Sequence, residues 1–174
     1  MNIVLIGYRC CGKTSAGKLI AEKLGRRFID TDELIIKKEG CTIDETVSRH
    51  GWQYFREIEK GIIRDVSSHE NIVVATGGGV VLNKENVRNL KTNAFVVWLY
   101  ADMETIKKRL NEDKMSVENR PSLTGEDPSD EINKVMEVRE PLYKSAGDMM
   151  IDTSNLEISK VADMVIDNLD RLEN

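Results

Sequence analysis

The chain has 174 residues, enough for one α/β domain, with 40% hydrophobic residues and a formal net charge of −5. That balance, with a pI near 5.2, argues against a general nucleic-acid binder or a membrane-surface protein. Three cysteines, two of them adjacent at Cys10 and Cys11, make no disulfide framework, and no signal peptide or membrane span is visible, which together point to the cytoplasm.

Short apolar runs alternate with longer helical patterns, the signature of βαβ units and a parallel sheet. Ile3–Ile6 is the first expected strand. A helix follows from Lys13 to Leu24, with Ala16, Leu19, Ile20, Ala21 and Leu24 as its apolar positions and Gly25 as its stop. Phe28–Ile29 reads as a short second strand leading into Asp30-Thr31-Asp32. Two or three helices fill roughly 32–68, one of them opened by the capping-box spacing Thr42-Ile43-Asp44-Glu45. Ile72–Ala75 is a strand running into Gly77-Gly78-Gly79. Asn83 caps the next helix, Phe95–Leu99 is another strand, and Asp102 caps a helix running to about Leu110. Residues 111–125 are polar and without periodicity, long for a loop in a compact domain, and are expected to form a lid. A helix over about 129–145, a last strand Met149–Ile151 and a closing helix over 156–172 complete a single domain spanning 1–174. The five strands are each expected to be buried on both faces.

Gly7-Tyr8-Arg9-Cys10-Cys11-Gly12-Lys13-Thr14 matches G-x4-G-K-[ST] between an apolar strand and a helix, the context a phosphate-binding loop requires. Such a loop turns successive backbone N–H groups inward and adds the positive end of a helix dipole. Lys13 would reach the β- and γ-phosphates and the Thr14 hydroxyl would ligate Mg²⁺, with Cys10, Cys11, Gly12 and Ser15 completing the nucleotide contacts. The motif fixes nucleotide binding and leaves the reaction open. A guanine-reading switch would need N-K-x-D, but Asn86 replaces the aspartate in Asn83-Lys84-Glu85-Asn86, and no D-x-x-G occurs. A mechanical ATPase would carry an acid after an apolar strand, where Ile72–Ala75 gives Thr76 and three glycines. Small-molecule kinases remain. Asp30 and Asp32 follow a strand end, where open α/β sheets bind ligands. Gly77–Gly79 lets the backbone approach a small ligand, and Arg56, Arg120 and Arg139 supply cations.

The phosphate loop, Asp30-Thr31-Asp32, Tyr54-Phe55-Arg56-Glu57-Ile58-Glu59, Thr76-Gly77-Gly78-Gly79, Asn119-Arg120-Pro121-Ser122-Leu123 and Arg139-Glu140-Pro141-Leu142-Tyr143 together resemble the shikimate kinase family, in its order and over essentially the whole chain. The resemblance implies a three-layer P-loop kinase fold. Its sheet has five parallel strands in the order 2-3-1-4-5 with helices on both faces, a substrate-binding insert over about 32–60 and a lid over about 111–125. It implies transfer of the γ-phosphoryl group of MgATP to the 3-hydroxyl of shikimate, giving shikimate 3-phosphate and ADP in chorismate biosynthesis. Carried over, Asp32 holds the substrate hydroxyls and takes the proton, and Asp30 supports the Mg²⁺ hydration shell. Arg56 and Arg139 hold the carboxylate, with Gly77, Gly78 and Gly79 contacting substrate through backbone. Arg120 bridges to the transferring phosphate and Arg109 lies against adenine. Planar guanidinium groups suit a bidentate carboxylate. Another P-loop kinase, of gluconate or a nucleoside monophosphate, and a silent nucleotide-binding module are the rival readings. The partner expected is the small-molecule substrate, with no nucleic acid or membrane, and the lack of a long apolar heptad points to a monomer.

Plainer readings stand beside these. Asp30 and Asp32 also suit helix capping, Arg56 and Arg139 also suit surface ion pairs, and Arg109 an ordinary solvated position. Cys10 stands where the family often has glycine, which narrows the loop's backbone freedom. The helix N-terminus and Lys13 favour a thiolate at Cys10 and Cys11, while burial would leave both thiols inert.

Overall fold

The computed structural model describes residues 1–112 and 128–173. The first half runs β1 (Asn2–Ile6), α1 (Lys13–Leu24), β2 (Arg27–Asp30), α2 (Thr31–Glu39), α3 (Ile43–Ser67) and β3 (Ile72–Ala75). A 3₁₀ turn (Val80–Leu82) then leads to α4 (Lys84–Lys91), β4 (Ala94–Tyr100), α5 (Met103–Glu112), α6 (Pro128–Ala146), β5 (Met149–Asp152) and α7 (Ile158–Glu173).

All five strands pair in parallel in the order β2-β3-β1-β4-β5. β1 lies at the centre, with Leu5 opposite both Ala75 of β3 and Val97 of β4. Every residue of β1 and β3 is buried, as continuous apolar runs covered on both faces must be. The expectation that all five strands are buried on both faces fails at the edges. Arg27 in β2 is exposed, and so is Met150 in β5. Each edge strand has a neighbour on one side only, and the helices above and below do not reach over it fully. Helices flank the sheet in two groups. In one, α1 packs with α7; in the other, α3 packs with α4, while α6 lies against β4 and α5.

The local signals act as read. Thr42 and Glu45 close a reciprocal capping box on α3, Asn83 accepts from the Glu85 N–H at 2.8 Å, and Asp102 accepts from the Thr105 N–H at 2.7 Å. The two or three helices expected over roughly 32–68 are α2 and the two segments of α3. Gly51 sits inside α3 at φ 81°, ψ 168°, so two helical segments meet at a kink. That conformation is open to glycine and almost closed to any residue with a Cβ. The second segment therefore leaves at an angle of its own and carries Trp52, Phe55 and Arg56 to the cleft described next.

The residues after β3 are tied to the end of β1 and to the start of α2. The Thr76 N–H and hydroxyl both donate to Leu5 O, at 3.1 and 3.0 Å, and the Gly77 N–H donates to the Thr31 hydroxyl at 3.1 Å. This clusters the phosphate loop, the Asp30-Thr31-Asp32 corner and the glycine run at the carboxyl end of the sheet, beside the strand where the order reverses.

Candidate active site

The phosphate loop leaves β1 and turns on three residues of positive φ: Gly7 at 140°, Cys10 at 61° and Gly12 at 88°. A Cβ at Gly7 would run into Leu99 O, so the loop lies hard against β4. Cys10 holds the left-handed conformation with a Cβ, which costs about 1–2 kcal/mol. Lys13 opens α1, is buried, and its Nζ donates to Tyr8 O at 2.6 Å, across the loop. Thr14 Oγ1 donates to Asp30 Oδ2 at 2.8 Å. Ser15 follows in the same helical turn and is exposed.

Asp30 does two things at once. Its Oδ1 caps α2, accepting from the N–H groups of Asp32 and Glu33 at 3.0 and 3.4 Å, while Oδ2 meets Thr14. The capping reading and the site reading of this residue are therefore compatible. Asp32 does not cap; it lies buried in the first turn of α2, facing the glycine run. The residues present fit a magnesium nucleotide: a buried ammonium, a loop that ends at a helix start, and two hard oxygen ligands side by side, which is the donor chemistry Mg²⁺ takes.

A cleft adjoins this loop. Tyr8, Arg9 and Asp32 line it with Ile43, Trp52, Phe55, Arg56 and Glu59, and Gly77, Gly78, Gly79 and Arg139 complete it. Gly77 and Gly79 are needed for proximity and not for turning, since no glycine of the run has positive φ. A Cβ at Gly77 would lie 2.6 Å from Asp32 Oδ1 and 3.3 Å from Glu59 Oε1, and one at Gly79 would run into the Arg56 guanidinium. Arg56 is steered from three directions. Its Nη1 donates to Glu59 Oε2 at 2.7 Å, and the guanidinium lies 5.4 and 5.1 Å from the ring centroids of Trp52 and Phe55. Arg139 is 8% exposed, far from an ordinary surface ion pair. Below the glycines, the Tyr143 hydroxyl donates to Gly78 O, and burial raises its phenol, so the proton stays on to make that bond.

Several groups here were not singled out from the sequence. Glu59 is buried, and desolvation raises its carboxyl against the pull of the Arg56 cation. Its Oε1, beside Gly77, has no hydrogen-bond partner among the described residues. Its position three residues after Arg56 on one helix was the available signal. Arg9 pairs with buried Glu131 at 3.4 Å across to α6, and its guanidinium lies 5.6 Å from the Tyr8 ring centroid. No local pattern links positions 9 and 131.

Arg109 is not a solvated helix residue. Its Nη1 donates to Cys10 O at 3.1 Å and to the Thr153 hydroxyl at 3.2 Å, and its Nη2 to Thr153 O at 2.6 Å. It thus stands against the back of the phosphate loop. Burial outweighs Lys13 and Arg109 at Cys11 and pushes its thiol up, so the inert reading holds for that cysteine. Arg120 and residues 113–127, the greater part of the expected lid, lie outside the described residues.

The sequence profile described as "Shikimate kinase" matches residues 9–170 of the chain. The shikimate kinase of Caldicellulosiruptor bescii is 46% identical over 165 residues, covering 95% of this chain and 93% of the relative. That of Thermodesulfovibrio yellowstonii is 43% identical over 173 residues, covering 99% and 97%. Among solved structures, a shikimate kinase from Acinetobacter baumannii in complex with shikimate superposes with a TM-score of 0.89 at 32% identity, covering 97% of this chain and 92% of that one.

Proposed function

The chain belongs to the shikimate kinase family and is an ATP- and Mg²⁺-dependent kinase of shikimate, and we propose the following division of labour among its residues. Lys13 and the amides of Cys10–Ser15 hold the β- and γ-phosphates, with the charge of Lys13 drawn toward the transferring group. Thr14 ligates Mg²⁺ directly and Asp30, already bonded to the Thr14 hydroxyl, supports its water shell. Mg²⁺ when bound neutralises charge on the β- and γ-oxygens. Arg56 and Arg139 take the substrate carboxylate, and the backbone of Gly77–Gly79 fits against the ring. Asp32 accepts the proton of the 3-hydroxyl as that oxygen bonds to the γ-phosphorus and ADP leaves. Little base strength is required, because the loose transition state asks for little early deprotonation. Arg109 packs beside the nucleotide base. Arg120 is given the transferring phosphate on the family resemblance alone.

The observation that carries this reading is the convergence of Arg56, Arg139 and Asp32 on one cleft whose wall is the phosphate loop's own Tyr8 and Arg9. Two guanidinium groups opposite one carboxylate suit a small anionic polyol and leave a neutral acceptor poorly matched. A cytoplasmic monomer with the insert over about 32–60 as its substrate-binding part goes with it. No helix among the described residues is long and apolar enough to cross a membrane. Coupled ADP release should be seen with shikimate and not with gluconate or nucleoside monophosphates. Equal rates with gluconate would overturn the assignment of the cleft.

A further inference from the structure

We propose that Thr153 is a positioning residue for the phosphate loop: with Arg109 it fixes the carbonyls of Cys10 and Cys11, and so holds the loop's N–H groups toward the nucleotide phosphates. The inference rests on the phosphate-loop reading of residues 7–14 given above.

Thr153 is the first residue after β5 and is buried. Its N–H donates to Tyr100 O at 2.8 Å, and its one hydroxyl proton is shared between Tyr100 O at 2.9 Å and Cys11 O at 3.2 Å. The same hydroxyl accepts from Arg109 Nη1, which also reaches Cys10 O, while Thr153 O accepts from Arg109 Nη2. One side chain therefore joins the ends of β4 and β5, the helix α5 and the back of the loop.

The consequence follows from peptide geometry. A trans peptide points its C=O and its N–H in opposite directions. Holding Cys10 O and Cys11 O outward turns the N–H groups of Cys11 and Gly12 the other way, into the loop, where phosphate oxygens need donors. The hold is needed in this chain because Cys10 sits at φ 61° with a Cβ. A residue in that conformation persists only where its surroundings impose it. Thr153 itself need not touch the nucleotide; it acts through two carbonyls, on Cys11 directly and on Cys10 by way of Arg109.

Calorimetric titration of MgADP into the full chain tests this with three variants. Thr153→Val keeps the shape, loses the hydroxyl, and should weaken MgADP by about fivefold, leaving shikimate affinity unchanged. Thr153→Ser keeps the hydroxyl and should bind as the parent does. Adding Cys10→Gly to Thr153→Val should recover most of the loss, because glycine takes the left-handed conformation without a penalty. Thr153→Ala serves in the same role if the valine variant does not fold. MgADP binding unaltered by loss of the hydroxyl overturns the proposal, and so does an equal loss with and without Cys10→Gly. Failure of the parent protein to bind MgADP overturns the phosphate-loop reading instead.

Discussion

Asp30 and Asp32 show what two acids two residues apart can do at one strand end. One oxygen of Asp30 is spent on capping α2 and the other on Thr14, while Asp32 is left facing the glycine run. Asp32→Asn keeps that shape without a basic carboxylate. It should retain nucleotide affinity and lose about a hundredfold or more in kcat; an unchanged kcat in a steady-state assay would return Asp32 to a structural part. Glu59 carries a pH prediction. Burial raises its carboxyl, against the cation of Arg56 on its own helix and of Arg139 on α6, and Asp32 on α2 pushes the same way as burial. A raised carboxyl favours the protonated form in the folded chain. The stability it contributes is thus present below the ordinary carboxylate range and lost as pH rises through the raised value. Glu59→Gln should therefore raise Tm near pH 8, with the gain vanishing near about pH 4. The same change replaces the carboxylate partner of Arg56 with a neutral amide, so KM for shikimate should rise while KM for ATP holds. A variant no more stable than the parent at any pH would show that Arg56 fully compensates the burial of Glu59. Residue identities in the phosphate loop and the arginine positions were legible in the sequence because motif spacing reports them. The Glu59 environment was not, because desolvation depends on what α2 and the glycine run place over it.

At the scale of elements, caps were legible and angles were not. Thr42, Asn83 and Asp102 act within three residues of themselves, so the sequence contains the whole interaction. The kink at Gly51 depends on where the cleft lies, and the reading of two or three helices over roughly 32–68 places no break there. It is also what lets α3 cap at Thr42 and still deliver Arg56 to Gly79. A Cβ at Gly51 would meet nothing within 4 Å, so a substitution there is a test of backbone conformation alone. Gly51→Ala should cost on the order of 1–3 kcal/mol. The expected readout is a lower Tm, with KM for shikimate raised more than KM for ATP, because Trp52, Phe55 and Arg56 follow the kink. An unshifted Tm together with unshifted shikimate KM would mean the kink does not position the cleft. Edge exposure in β2 and β5 belongs to the same class of misreading: it is a property of strand order, and an apolar run does not say which strands will be outermost.

For the molecule as a whole, strand order decides that two ligands share one rigid base. β1 pairs with β3, and β3 with β2, so the ends of all three lie side by side, and Thr76 and Gly77 bond the segment after β3 to β1 and to the start of α2. The proposed nucleotide contacts come from the first loop and Arg109, and the proposed carboxylate contacts from Arg56 on α3 and Arg139 on α6, each set from its own part of the chain. Both ligands should therefore stabilise the folded chain, and each should do so through its own residues. A ligand that binds only the native state at about 100 times its Kd adds about 2.7 kcal/mol. For a chain of this length that corresponds to a rise in Tm of about 5–10 °C. MgADP alone and shikimate alone should each raise Tm. Lys13→Ala should abolish the MgADP shift and turnover while keeping the shikimate shift. Arg56→Ala or Arg139→Ala should keep the MgADP shift and cut the shikimate shift to about half or less, since loss of a charge-assisted bond weakens the acid by about tenfold or more and leaves the phosphate loop intact. If Arg56→Ala removes the nucleotide shift as well, the common base couples the two sites more tightly than their separate side chains imply. The selective effects expected of the arginines on KM would then fail together with it.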